Sequence, residues 1–312
     1  MQIPFFKEIS DSNNILLAGA GGGFDIVSGI PLYLYLVSEG KNVILANLSF
    51  TELFSSGDEE VCPWTYSVTA EAAPLPYFPE KYILQWLEEI GHKPFMYGFS
   101  NNMGVKPLLD GYNYVIEKHN IDTIVLVDGG TDGLMRGDEP KVGTIVEDAC
   151  SIITCSMTDV KKRYIVTTAF GAEHTLDHYT CLENIADLTK EGAFKGAVSI
   201  TDDMPEGRYY LELVERLNKD MAKYPSIITN SIASAMKGEF GDYHPTARTK
   251  GSIQFINPFM TLWWFFALDD VAEKIGFAEK AKDSETMDDV AKAYLNYRAC
   301  AQRRPVNKIP LT

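Results

Sequence analysis

The sequence predicts an α/β fold, Rossmann-like, with a mostly parallel sheet, flanking helices and a C-terminal helical flank. Three observations carry that prediction. Short apolar runs bounded by turn-forming or polar residues recur along the first two thirds of the chain, segments with helical periodicity separate most of them, and the first run ends in a glycine cluster that leads into a helix. Strands that alternate with crossover helices are buried on both faces, so they read as continuous apolar runs rather than as alternating ones.

In order, the strands are expected at residues 15–18, 42–46, 94–97, 123–127, 164–168 and 197–200, and the helices at 26–38, 82–90, 105–118, 144–153 and 176–188. After about residue 204 the alternation stops. Two helices, 208–223 and 226–236, are separated at Tyr224-Pro225, where proline removes a backbone donor and constrains its predecessor. A connector at 238–245 leads to a short strand at 252–256, an aromatic helix at 259–275 and a terminal helix near 285–301. Residues 55–69 and 238–251 are expected to be irregular. The chain is expected to form one domain, 1–312, with 204–312 as a helical flank or cap.

Charge and cysteine usage narrow the function. With 28 Lys plus Arg against 43 Asp plus Glu, the net charge of −15 repels nucleic-acid backbones, and Lys161-Lys162-Arg163 is too short to reverse that. No nucleic-acid partner is expected. The five cysteines lack zinc-knuckle spacing, and Cys150 and Cys155, five apart, do not share a chelating helix face; reduced thiols in a cytoplasmic protein are expected. Residues 1–14 lack a cationic stretch followed by an apolar core, and the apolar segment 255–268 is interrupted by Asn257-Pro258 and too short to span a bilayer.

Gly19-Ala20-Gly21-Gly22-Gly23-Phe24-Asp25 is the first candidate binding loop. Gly19, Gly21, Gly22 and Gly23 permit a tight turn and bring bare amides to a ligand, while the helix start adds unpaired N–H groups. Asp25 either caps that helix or contacts a ligand hydroxyl. The acidic ribose ligand of dinucleotide-binding folds is missing at the end of the second strand, where Asn47 stands instead as a hydrogen-bonding candidate.

The strand at 123–127 leads into Asp128-Gly129-Gly130-Thr131-Asp132-Gly133 and then Arg136-Gly137-Asp138-Glu139. Asp128 and Asp132 are the candidate catalytic residues, and Gly129, Gly130, Thr131, Arg136, Asp138 and Glu139 candidate ligand contacts. Clustered carboxylates can bind a divalent cation, hold ribose hydroxyls or position water; they can equally cap turns and pair with Arg136. Glu147 and Asp148, near the start of the next helix, are read first as partners of its amides or dipole, with a general-acid role if like charges crowd there.

Glu173 and His174 follow the strand at 164–168 and are candidate ligand contacts; His174 and His178 would share a face of a continuous helix. Tyr243 and His244 lie in the late connector, where they would close over a sugar or base. Trp263-Trp264-Phe265-Phe266, on the expected aromatic helix, reads as core or as a contact between copies in a homo-oligomer.

Taken together in order, the first glycine cluster, Asp128-Gly129-Gly130-Thr131-Asp132, Arg136-Gly137-Asp138-Glu139, Gly143-Thr144 and Glu147-Asp148 resemble a mainly prokaryotic family, domain of unknown function 1152. The resemblance implies an α/β protein with a glycine-rich first turn and brings no substrate. Phe24 stands where many members carry a further glycine, which narrows the space over the loop. The expected function is binding, with hydrolysis or transfer, of a nucleotide, nucleoside or phosphorylated sugar, with a divalent cation as an optional cofactor. The rivals are a non-catalytic nucleotide-binding sensor and a structural oligomer.

Overall fold

The computed structural model describes residues 2–309; residues 1 and 310–312 of the expected single domain lie outside them. Eleven strands are present among the described residues: β1 (Asn14–Gly19), β2 (Asn42–Ser49), β3 (Glu59–Cys62), β4 (Thr65–Val68), β5 (Met96–Ser100), β6 (Thr123–Asp128), β7 (Lys162–Thr167), β8 (Phe194–Ser199), β9 (Gly241–Asp242), β10 (Phe255–Ile256) and β11 (Leu262–Ala267). The helices are α1 (Pro4–Glu8), α2 (Asp25–Ser38), α3 (Pro79–Glu89), α4 (Val105–His119), α5 (Ile145–Ser156), α6 (His178–Lys190), α7 (Pro205–Asp220), α8 (Ile227–Met236), α9 (Leu268–Lys274), α10 (Ala278–Ala281) and α11 (Met287–Cys300).

Nine strands form one sheet in the order β3-β4-β5-β2-β1-β6-β7-β11-β8, and β9 pairs with β10 in a separate ribbon. The central run β5-β2-β1-β6-β7 is parallel throughout. The chain moves outward from β1 through β2 to β5, then returns to the other side of β1 at β6. In an open parallel sheet such a reversal leaves a crevice outside the carboxyl ends of the two strands that flank it. Gly19 pairs with Asn47 on one side and Val127 on the other, so the turns after β1, β2 and β6 leave the sheet at one level.

Side chains of β1 alternate between the two faces as the strand period requires. Ile15 and Leu17 belong to the core beneath α2, α3 and α7, whereas Leu16 and Ala18 belong to the core beneath α4, α5 and α9. Three helix starts are fixed by side-chain caps: Asp177 accepts from the Thr180 amide at 2.9 Å, Ser226 from the Thr229 amide at 3.2 Å, and Thr286 with Asp289 forms a capping box on α11.

The structure departs from the sequence reading in two places. Residues 55–69 contain a hairpin, β3 and β4, whose outer strand carries exposed Glu59 and Glu60, a charge pattern that discourages further strand pairing at the sheet edge. The aromatic helix expected at 259–275 is a 3-10 turn, then strand β11, then the short helix α9. β11 lies antiparallel between β7 and β8, so the late segment donates a strand to the sheet as well as helices. An apolar run without periodicity reads alike as a buried helix or a buried strand, and the aromatic residues decide for the strand through packing on both faces.

This also removes the basis for an oligomer contact through an aromatic helix. Trp263 is 1% exposed, Phe265 and Phe266 are equally buried, and Trp263 Nε1 donates to the Ser28 carbonyl of α2 at 2.8 Å. Trp263→Ala should therefore cost about 3–5 kcal/mol of folding stability through cavity formation. Urea denaturation followed by circular dichroism would measure it, and a change below about 1 kcal/mol would contradict the core placement.

Candidate functional site

The turns after β1 and β6 and the start of α5 converge at the crevice, and what they bring together is negative charge. Asp25 opens α2 and accepts from the Gly21 amide at 2.7 Å. Asp128 ends β6 and accepts from the Gly130 amide at 2.5 Å and the Gly133 amide at 3.0 Å. Asp132 accepts from the amide of Thr144 at 2.8 Å and from its hydroxyl at 2.7 Å, which ties the β6 turn to the start of α5. Glu173, in the loop after β7, accepts from the Thr131 amide at 3.3 Å.

Asp148 completes the group from the first turn of α5. It is 2% exposed, and its Oδ1 has no hydrogen-bond partner. One oxygen from each of Asp25, Asp128 and Asp148 lies within 4.8 Å of the other two, an arrangement in which a metal ion fits. The loop after β7 also holds Ala169 at φ +56°, a left-handed conformation that a β-carbon disfavours.

The glycines are spaced by these carboxylates. A β-carbon on Gly21 would stand 2.4 Å from Asp148 Oδ2, one on Gly129 2.6 Å from Asp25 Oδ1, and one on Gly130 2.4 Å from Glu173 Oε2. Gly22 and Gly23 serve the turn itself, with φ of +94° and +61°. Of the first-loop amides expected to greet a phosphate, that of Gly21 is already bonded to Asp25 and that of Gly23 to the Leu48 carbonyl.

Above the carboxylates lies an open cleft of about 620 Å³. Of the sequence candidates, Gly22, Gly23, Asp25, Glu173 and His174 line it. Phe50, Tyr77 and Tyr224 supply aromatic walls, and Arg248 a cation with no carboxylate partner among the described residues. A smaller cavity of about 140 Å³ between α2 and β11 is almost wholly apolar and offers no comparable chemistry.

The other sequence candidates are distributed differently. Asp128 and Asp132, with Gly129, Gly130 and Thr131, are buried beneath the cleft rather than exposed in it. Gly19 and Asn47 lie behind the first turn. Asn47 donates to the Gly23 carbonyl at 2.9 Å and to Glu80 Oε1 at 2.7 Å, and a β-carbon on Gly19 would overlap its Oδ1.

Arg136, Asp138 and Glu139 form a separate structural knot. Glu139 accepts from the Arg136 and Gly137 amides, Arg304 grips Asp138 and Glu139, and Arg136 pairs with Asp187. Tyr243 and His244 do not line the cleft; His244 instead meets Asp242 at 3.2 Å and Thr249 at 3.0 Å on the β9–β10 ribbon. His174 precedes α6, which begins at His178, so the two histidines do not share a helix face.

Asp148, Arg248, Phe50, Tyr77 and Tyr224 complete the site without having been singled out as contacts. Only Asp148 carried a signal, its place beside Glu147 at a helix start. Yet Asp148 does not cap the helix; Asp132 satisfies the Thr144 amide instead.

Burial, reinforced by the neighbouring Asp132 charge, pushes the Asp25 carboxyl up to about 8. Burial also raises Asp128 and Asp148 well above the usual carboxylate range, with mutual repulsion from Asp132 and Asp25 adding to it. A raised folded-state value means that between the ordinary 3.8 and about 8 the folded chain holds protons the unfolded chain releases. The stability contributed by this cluster in metal-chelating buffer is therefore present at low pH and lost as pH rises through that window. Asp148→Asn removes one repelling charge, so its urea midpoint should exceed the wild-type midpoint by more at pH 8 than at pH 5. Equal differences at the two pH values would show that the charges do not repel as this geometry requires.

The family model described as "Protein of unknown function (DUF1152)" matches residues 66–301, which include Asp128, Asp132, Asp148, Glu173 and Arg248 and leave the first glycine turn ahead of the match. No curated protein and no solved structure matches the chain. With three quarters of its length covered by that model, and with the ordered glycine and carboxylate motifs meeting at one sheet edge, the chain belongs to the DUF1152 family.

Proposed function

We propose that the cleft binds a nucleotide, nucleoside or phosphorylated sugar and that the protein is an enzyme that hydrolyses or transfers at its glycosidic or phosphoryl centre. The observation that carries this reading is the pairing of an acidic floor with aromatic walls and one cationic side chain in a cleft at the strand-order reversal. Asp25 and Glu173 face the cleft, where carboxylates can accept from sugar hydroxyls or orient an attacking water. Asp128 and Asp132, beneath them, act as positioning residues that hold the two polar turns together.

The amides of the first loop are poor candidates for phosphate, because Gly21 is engaged by Asp25 and Gly23 by the Leu48 carbonyl. Arg248 is the better partner for a phosphate, and Phe50, Tyr77 and Tyr224 offer faces for a base or sugar ring. No helix among the described residues is long and apolar enough to cross a membrane. A cytoplasmic setting belongs to the same proposal, supported by five unpaired thiols, three of them buried.

Incubation of purified protein with a metabolite panel, followed by mass spectrometry, tests the reading. A phosphorylated or ribosylated compound should be consumed, with turnover reduced roughly 100-fold or more in Glu173→Gln that melts like wild type. Arg248→Ala should raise KM roughly 10- to 100-fold for a phosphorylated substrate while leaving kcat within a few-fold. Saturable binding without consumption would make the protein a non-catalytic sensor instead, and absence of both binding and turnover would overturn the reading.

A further inference from the structure

We propose that Asp25, Asp128 and Asp148 form a binding site for one divalent cation of the magnesium, manganese or calcium class. The inference concerns the ion alone and does not depend on which organic molecule occupies the cleft.

Two independent observations lead to it. The first is the triangle of carboxylate oxygens, no two further apart than 4.8 Å. Oxygens on opposite sides of a calcium ion are separated by twice a bond of about 2.4 Å, so one ion can touch all three with small side-chain adjustments. The second is Asp148 itself. Its Oδ1 is buried with no hydrogen-bond partner, among like charges, on a helix of twelve residues. Buried polar atoms are nearly always satisfied by protein, water or an ion, and an unpaired carboxylate oxygen is among the costliest to leave alone.

Main-chain amides hold the triangle in place. Asp25 is anchored by the Gly21 amide, and Asp128 by the Gly130 and Gly133 amides, which aim both carboxylates without neutralising them. Gly21 brings the backbone up to Asp148, since any side chain there would displace Asp148 Oδ2. The donor set is all carboxylate, which selects hard cations over zinc or copper. Three carboxylates and one divalent ion leave a net charge of −1. Asp25 also lines the cleft, so water or a ligand oxygen entering there can complete the coordination sphere.

A cation here would relieve the repulsion that Asp132 and Glu173 add to the triangle. It would also let an anionic group approach a floor that otherwise repels it. If the cluster were instead held together by shared protons, added metal would leave it unchanged.

The test uses the whole chain, stripped with a chelator and desalted, and needs no organic substrate. Calorimetric titration with manganese chloride should give one saturable site per chain, and thermal melts should rise with manganese in step with occupancy. Asp148→Asn should weaken manganese at least tenfold and abolish most of the thermal shift while melting no lower than wild type without metal. Glu88→Gln, an exposed carboxylate on α3, should behave as wild type. If Asp148→Asn fails to fold, Asp25→Asn carries the same expectation. No saturable manganese binding by wild type, or equal binding by wild type and the Asp variants, would overturn the site. Turnover of the metabolite panel is scored separately, so a cation site without an active cleft, or the reverse, is told apart.

Discussion

The structure at the crevice depends on one constraint: carboxylates from separate turns are packed against glycine backbone at the point where strand order reverses. Asp25 and Asp128 take hydrogen bonds from main-chain amides of their own turns, Asp132 and Glu173 from amides of neighbouring segments, and Asp148 presses on Gly21. Each bond satisfies an amide that a tight turn would leave unpaired, and each adds a charge to a small buried volume. The same contacts that order the loops therefore make the site electrostatically demanding.

This arrangement gives the glycine-rich turn a different meaning from the one it has in dinucleotide-binding folds. There the absent side chains make room for a pyrophosphate. Here Gly21, Gly129 and Gly130 make room for Asp148, Asp25 and Glu173. The parallel strands and the topological position are shared, while the sign of the site is reversed. Under the proposed function, a ligand's hydroxyls or a bound cation would sit on the floor and its anionic groups at Arg248.

Much of the parallel sheet was legible because strand and helix periods differ and the turns are punctuated by glycine and proline. Six of the seven expected strands exist between β1 and β8 in the sheet, the seventh, 252–256, shrinks to β10 in the separate ribbon, and the helices 26–38 through 226–236 begin or end within a few residues of α2 to α8. β11 escaped because residues 262–267 are apolar on both faces and lack a period. β3 and β4 escaped because Glu59, Glu60 and the turn residues around them read as solvated loop.

Sequence alone determined the fold class, the net charge and the three polar turns at strand ends, since these follow from local periodicity, composition and turn chemistry. Only the tertiary structure decided which polar residues share a space. Register between β1 and β6 sets Asp25 beside Asp128, whereas Glu139, eleven residues beyond Asp128, turns away to meet Arg304 from the chain's far end. Asp148 shows the limit most directly: its position near a helix start suggests a cap, and packing against Gly21, in a turn more than a hundred residues earlier, leaves it a buried carboxylate with an unpaired oxygen instead. Distances of that kind depend on long-range packing, which no local pattern of residues encodes.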